Sequence, residues 1–154
     1  MPSQPDTEPC IFCEIVAERA RASVVYEDET CVAFLDLRPV TEGHTLIIPK
    51  RHAAGLQDLD PADGARLLTT AMRLATALRR SDLRCDVMNL FLADGEAAGQ
   101  EVFHVHLHLF PRFAGDSFRI DADWSTPPSR SSLDEIAGRL RAVLTDMERS
   151  TISA

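Results

Sequence analysis

No stretch of this chain stays apolar long enough to cross a bilayer as a helix. The longest apolar runs, Thr45 to Pro49 and Val87 to Ala93, fall far short of the roughly 20 residues a membrane helix needs. An excess of positive charge is missing too. Sixteen basic side chains stand against 24 acidic ones, for a net charge of −8, which argues against a broad basic surface for wrapping nucleic acid and leaves any phosphate to be held locally. Met1 to Pro9 lacks the basic and apolar segments of a secretion signal, so a cytoplasmic location is the expectation. Cysteine is too sparse for a disulfide framework: one close pair, Cys10 and Cys13, and two isolated members, Cys31 and Cys85. In a cytosolic chain such a Cys-x-x-Cys pair points to metal or redox chemistry. Repeats and low-complexity segments are absent.

What remains is a chain of 154 residues, 45% apolar and 26% charged, sized and composed for one folded domain. The polar, proline-containing residues 1–9 read as a flexible tail, with structure starting near Cys10. Ser23 to Glu27 and Thr30 to Asp36 are rich in β-branched and aromatic residues around Asp28-Glu29 and predict two strands joined by a tight turn. His44 to Pro49 predicts a third. Asp60-Pro61-Ala62-Asp63 supplies an N-cap, a proline at the first helical position and a first-turn acid. Leu67, Leu68, Ala71, Leu74, Ala75 and Leu78 follow at helical spacing. Asp86 to Leu92 and Val102 to Phe110 predict two further strands, and Ser132 with Glu135 a capping box that opens a second helix with an apolar face running from Leu133 to Met147. The class is α+β, an antiparallel sheet with a helix laid on it.

Three of the five histidines fall at 104, 106 and 108, separated by the apolar Val105 and Leu107 and followed by Leu109. Side chains alternate along a strand, so the histidines share one face and the aliphatic residues pack the other into the core. On a straight strand the outer two would sit about 13 Å apart, too far for all three to share one metal easily. A neutral imidazole is a good nucleophile and general base near neutral pH, and cationic neighbours can hold an anion beside it. A half-exposed strand that happens to carry histidines, and a catalytic metal bound by them, are the competing readings. Cys10 and Cys13 complete only half of a tetrahedral metal site, so other ligands are required.

The pattern resembles the signature of the histidine triad family of nucleotide hydrolases and transferases. The resemblance extends to CIFCEIVA at 10–17, AFLDLRPVTEGHTLIIPKRH at 33–52 and GQEVFHVHLHLFPR at 99–112. It implies a domain over 10–113 with an antiparallel sheet of about five strands and a central packing helix, and a loop and C-terminal helix over 114–154 packed on the same domain. It implies catalysis by His106, which would attack an α-phosphorus and form a nucleotidyl-histidine intermediate. His108 would then contact phosphate oxygens, and His44 would line the site near the leaving group. Asp36 would bind the ribose hydroxyls, Phe12, Ile15, Phe34 and Leu37 would form the base cleft, and Gln100 would add a nucleotide contact. The ligand set it implies for a structural zinc is Cys10, Cys13, His52 and His104, with no organic cofactor. The implied substrate is an AMP- or GMP-containing conjugate, either a dinucleoside polyphosphate or a nucleoside phosphoramidate. The implied partner is a second copy of the chain, with the apolar helix from Pro61 to Arg80 as a plausible interface element. A purine-nucleotide-binding protein with weak catalysis is the alternative. Two positions depart from the family pattern: Ala93 stands where a phosphate-touching Asn or Gln is common, and Glu101 where Ser or Thr is frequent. An ionised carboxylate cannot donate to a phosphate oxygen as a hydroxyl can.

Overall fold

The computed structural model describes residues 9–152; the tail expected over 1–9 therefore lies, up to residue 8, outside the described residues. Five strands, β1 (Val24–Glu27), β2 (Cys31–Leu35), β3 (Thr45–Pro49), β4 (Val87–Phe91) and β5 (Leu107–Arg112), form one sheet in the order β1-β2-β3-β5-β4. Every neighbouring pair is antiparallel. Among the described residues three α-helices accompany it: α1 (Ile11–Val16), α2 (Pro61–Arg80) and α3 (Arg130–Ile152). Among the described residues no helix is long and apolar enough to cross a membrane. The expected α+β architecture, with its central and C-terminal helices, is the one present.

β2 and β3 are buried along almost their whole length because both faces of the sheet are covered. Their side chains alternate accordingly. Cys31, Ala33 and Ile47 join Leu67 and Ala71 of α2 in one cluster, while Val32, Phe34, Leu46 and Ile48 join Phe12 of α1 on the opposite face. α2 starts where its sequence says it should: the Asp60 carboxylate accepts from the Ala62 N–H at 2.8 Å, Pro61 follows, and Arg79 and Arg80 sit in the last turn.

Three local expectations change. Residues 11–16 form the short helix α1, too brief for helical periodicity to show in the sequence. α3 begins at Arg130 rather than Ser132, and the hydroxyl that accepts from the Ser132 N–H is that of Ser129. The histidine strand is also shorter than predicted, since ladder pairing begins only at Leu107. Pro49 has no N–H to extend the ladder from β3, and its carbonyl oxygen accepts from the His104 ring at 2.8 Å. The Val105 N–H turns to the Ala53 carbonyl instead, at 2.8 Å. Alternation nevertheless persists through the irregular segment, with Val105 and Leu107 in the α2-side cluster. Backbone contacts divide the chain after Phe118, and α3 belongs to the second unit.

Candidate active site and metal centre

His104, His106 and His108 emerge on the α1 side of the sheet, where the Phe12 ring meets those of His104 and His106 edge-on at 5.9 and 5.2 Å. Beyond that shared contact their surroundings diverge. His106 and His108, with ring centroids 4.9 Å apart, border a cavity of about 590 Å³ together with Phe12, Ile15, Phe34, Asp36, Leu37 and His44. That volume lies within the usual range of small-molecule sites.

Hydrogen bonds to fixed backbone groups determine which nitrogen of each ring carries the proton. The His106 Nδ1 lies 2.8 Å from the His104 carbonyl oxygen. A carbonyl can only accept, so Nδ1 carries the hydrogen and Nε2 of the neutral ring is left with a lone pair. His44 is the reverse case. Its Nδ1 accepts from the Val40 N–H at 3.1 Å, so its proton sits on Nε2, 2.9 Å from His108 Nδ1. His108 Nδ1 accepts, and its own N–H is on Nε2. The cavity is therefore bordered by one imidazole with a free lone pair, His106, and one with a free donor, His108.

Burial opposes protonation of His108 and His44. Burial, reinforced by the neighbouring His106 and His44, pushes the His108 imidazolium down to about 4 against the opposing pull of Asp36. Burial lowers His44 as well, again partly offset by Asp36, whose Oδ2 lies 3.6 Å from His44 Nε2. The Asp36 Oδ1 accepts from the Arg38 N–H at 2.7 Å. His44 follows Gly43, whose φ of +89° suits glycine and where a Cβ would press on Leu78, Leu83 and Pro111.

His104 faces elsewhere. Fully buried, it donates from Nε2 to the Pro49 carbonyl, leaving Nδ1 to face Cys10 Sγ at 3.5 Å, Cys13 Sγ at 3.6 Å and His52 Nδ1 at 3.3 Å. Cys13 Sγ lies 3.4 Å from His52 Nδ1. The four donors converge within 4.8 Å of one another, a set able to hold a metal ion. The start of α1 brings the pair together, with Cys10 at its N-cap and Cys13 in its first turn. Burial and the neighbouring Cys10 push the Cys13 thiol up to about 11, so a metal-binding thiolate there needs a cation beside it. The three triad histidines do not converge on one point, which removes the ligand set that a catalytic metal bound by them requires. Asp36, His44 and His108 also cluster, but the His44 and His108 nitrogens are already bonded to each other.

The HIT domain family model matches residues 17–115. The chain belongs to the histidine triad family. This histidine triad protein is 45% identical over 112 residues to an uncharacterized HIT-like protein of Mycobacterium tuberculosis, covering 73% of this chain and 77% of that one. It is 36% identical over 103 residues to Adenylylsulfatase HINT3 of Arabidopsis thaliana, covering 67% and 52%. Among solved structures, a Zn-bound histidine triad family protein from Mycobacterium smegmatis superposes with a TM-score of 0.70 at 43% identity, covering 92% of this chain and 96% of that one.

Gln100 stands apart from the other residues expected at the site. It is buried, and its side chain is committed to the backbone: Oε1 accepts from the Gly95 N–H, and Nε2 donates to the Ala54 and Val102 carbonyls. It braces the loop ahead of the triad and does not border the cavity. Ala93 is likewise buried and away from the cavity. Sequence reasoning missed Arg38, Phe91 and Phe110 as lining residues. It also missed the backbone groups of Val40, Pro49 and His104 that set the tautomers, because a carbonyl or amide carries no sequence signal.

Proposed function

We propose that this histidine triad protein is a nucleotide hydrolase or transferase acting at the α-phosphate of a nucleotide conjugate, with His106 as nucleophile. The observation that carries the reading is the His106 Nδ1 contact to the His104 carbonyl oxygen, which places the proton of the neutral tautomer on Nδ1 and leaves Nε2 as the attacking atom. Nε2 forms a bond to the α-phosphorus as the bond to the leaving group breaks, and the leaving group departs with the electron pair and takes up a proton. Water or another acceptor then displaces the histidine. The His108 Nε2–H is suited to donate to the phosphate oxygens where charge builds up. Asp36 has an oxygen for the ribose hydroxyls, and Phe12, Ile15, Phe34 and Leu37 offer an apolar bed for the base. The name of the plant relative, an adenylylsulfatase, supports a substrate that joins a nucleotide to a leaving group through its α-phosphate.

Zinc fits the second cluster. Tetrahedral zinc with sulfur at about 2.3 Å and nitrogen at about 2.05 Å sets S···N at about 3.6 Å and N···N at about 3.3 Å. The separations here are 3.4 to 3.6 Å and 3.3 Å. Cys10, Cys13, His52 and His104 would fill all four positions, a structural role, and the His104 bond to Pro49 is the outer contact that orients a ligating imidazole. A homodimer completes the reading, supported by Leu68 and Met72 of α2 and Val87 and Leu90 of the edge strand β4, all exposed.

The deciding experiment incubates the protein with nucleoside phosphoramidates and dinucleoside polyphosphates, quenches early and weighs the protein. A nucleotidyl adduct that disappears in His106→Asn, together with loss of at least 1,000-fold in turnover, is expected. Turnover that survives His106→Asn would overturn the assignment.

A further inference from the structure

Two acids and two bases line the cavity, Asp36 and Glu101 against Arg21 and Arg38, beside His44 and His108, whose protonation burial disfavours. A site for a phosphate conjugate thus has no formal surplus of positive charge. The reason lies at its mouth, where Glu101 Oε2 accepts from Arg38 Nη2 at 2.6 Å. These two side chains come from segments far apart in the chain. Arg38 follows Asp36 on the segment after β2, and Glu101 precedes the triad. Their side chains are 82% and 73% exposed, so water weakens the pair, and its effect on a competing anion is a few-fold one. The base of Arg38 is fixed by its N–H bond to Asp36, while its guanidinium, a fork suited to phosphate, is occupied by a carboxylate.

We propose that Arg38 and Glu101 together select the leaving group by charge, with Glu101 holding the Arg38 guanidinium away from polyanionic ones. A phosphate chain or sulfate that extends to this mouth must displace Glu101 from Arg38 and meet its carboxylate at close range. A neutral or cationic amine meets no such opposition. The proposal rests on the reading of this cavity as a nucleotide site. It assigns Glu101 a task distinct from that of a hydroxyl at the same position: a barrier of charge rather than a donor.

The test uses the full-length protein, wild type and the variants Glu101→Gln, Arg38→Gln and the double substitution. Two quantities are measured: kcat/KM for a dinucleoside triphosphate relative to an uncharged-amine nucleoside phosphoramidate, and the Kd of ADP relative to AMP by calorimetry. Glu101→Gln should shift both ratios toward the polyanion by about fivefold. The double variant should lose that gain, since the freed guanidinium carries it. Ratios within twofold of wild type in Glu101→Gln, or a gain that persists in the double variant, overturn the proposal. If no variant turns over any substrate but the ADP to AMP ratio shifts as stated, the catalytic reading fails and the charge selection stands. If turnover is present and neither ratio moves, the reverse holds.

Discussion

A proton on the wrong nitrogen would disable either histidine of the cavity, and the chain prevents this with backbone atoms. The His104 carbonyl and the Val40 N–H each admit one tautomer of the ring they touch. His108, bonded through His44, pays for its burial in proton affinity. Its folded value of about 4 lies below the 6.5 of a free imidazole, so between those values the unfolded chain binds more protons than the folded one. Stability from this group is therefore fully present above about pH 6.5 and is lost as the pH falls toward 4. Discounted for partial exposure, the loss is on the order of 2 kcal/mol. Denaturant melts at pH 7 and pH 4.5 should show it, and His108→Gln should flatten the slope between them. An equal slope in the variant would place the acid sensitivity in other groups.

At the scale of elements, β2, β3 and α2 were legible because strong local signals agreed with the packing: β-branched runs, and a cap-proline-acid start followed by apolar residues at helical spacing. α1 and the shortened β5 were not. α1 owes its position to the Phe12 side of the core, and β5 is cut short by Pro49, a residue distant in sequence. The triad itself was legible as alternation, but the turning of His104 toward the cysteines follows from tertiary bonds. α2 presents Met72, 65% exposed, on its outer face. If that face meets a second copy, Met72→Glu should convert the protein from two chains to one by light scattering without lowering its melting temperature by more than a few degrees. A variant that keeps the mass of two chains takes this face of α2 out of the interface.

For the whole molecule, the Cys10, Cys13, His52 and His104 cluster joins segments far apart in the chain: the start of α1, the stretch after β3, and the triad. Zinc binding free energy at such a site is folding free energy. Protein purified without added metal should contain about one equivalent of zinc and melt at least 10 °C lower after chelation, and Cys13→Ser should reproduce both the loss of metal and the lower melting temperature. Well under one equivalent, unchanged by Cys13→Ser, would remove zinc from the account. His52 is the exposed member of the set, the side from which a chelator would gain access.

The double use of His104 bears on anyone who would graft this chemistry onto another scaffold. Its ring belongs to the metal cluster, while its carbonyl fixes the proton on His106. Three alternating histidines on a bare strand would carry the spelling of the triad without its grammar. The smallest transplantable unit also includes Pro49, whose carbonyl turns the first ring, and Ala53, whose carbonyl takes the Val105 amide.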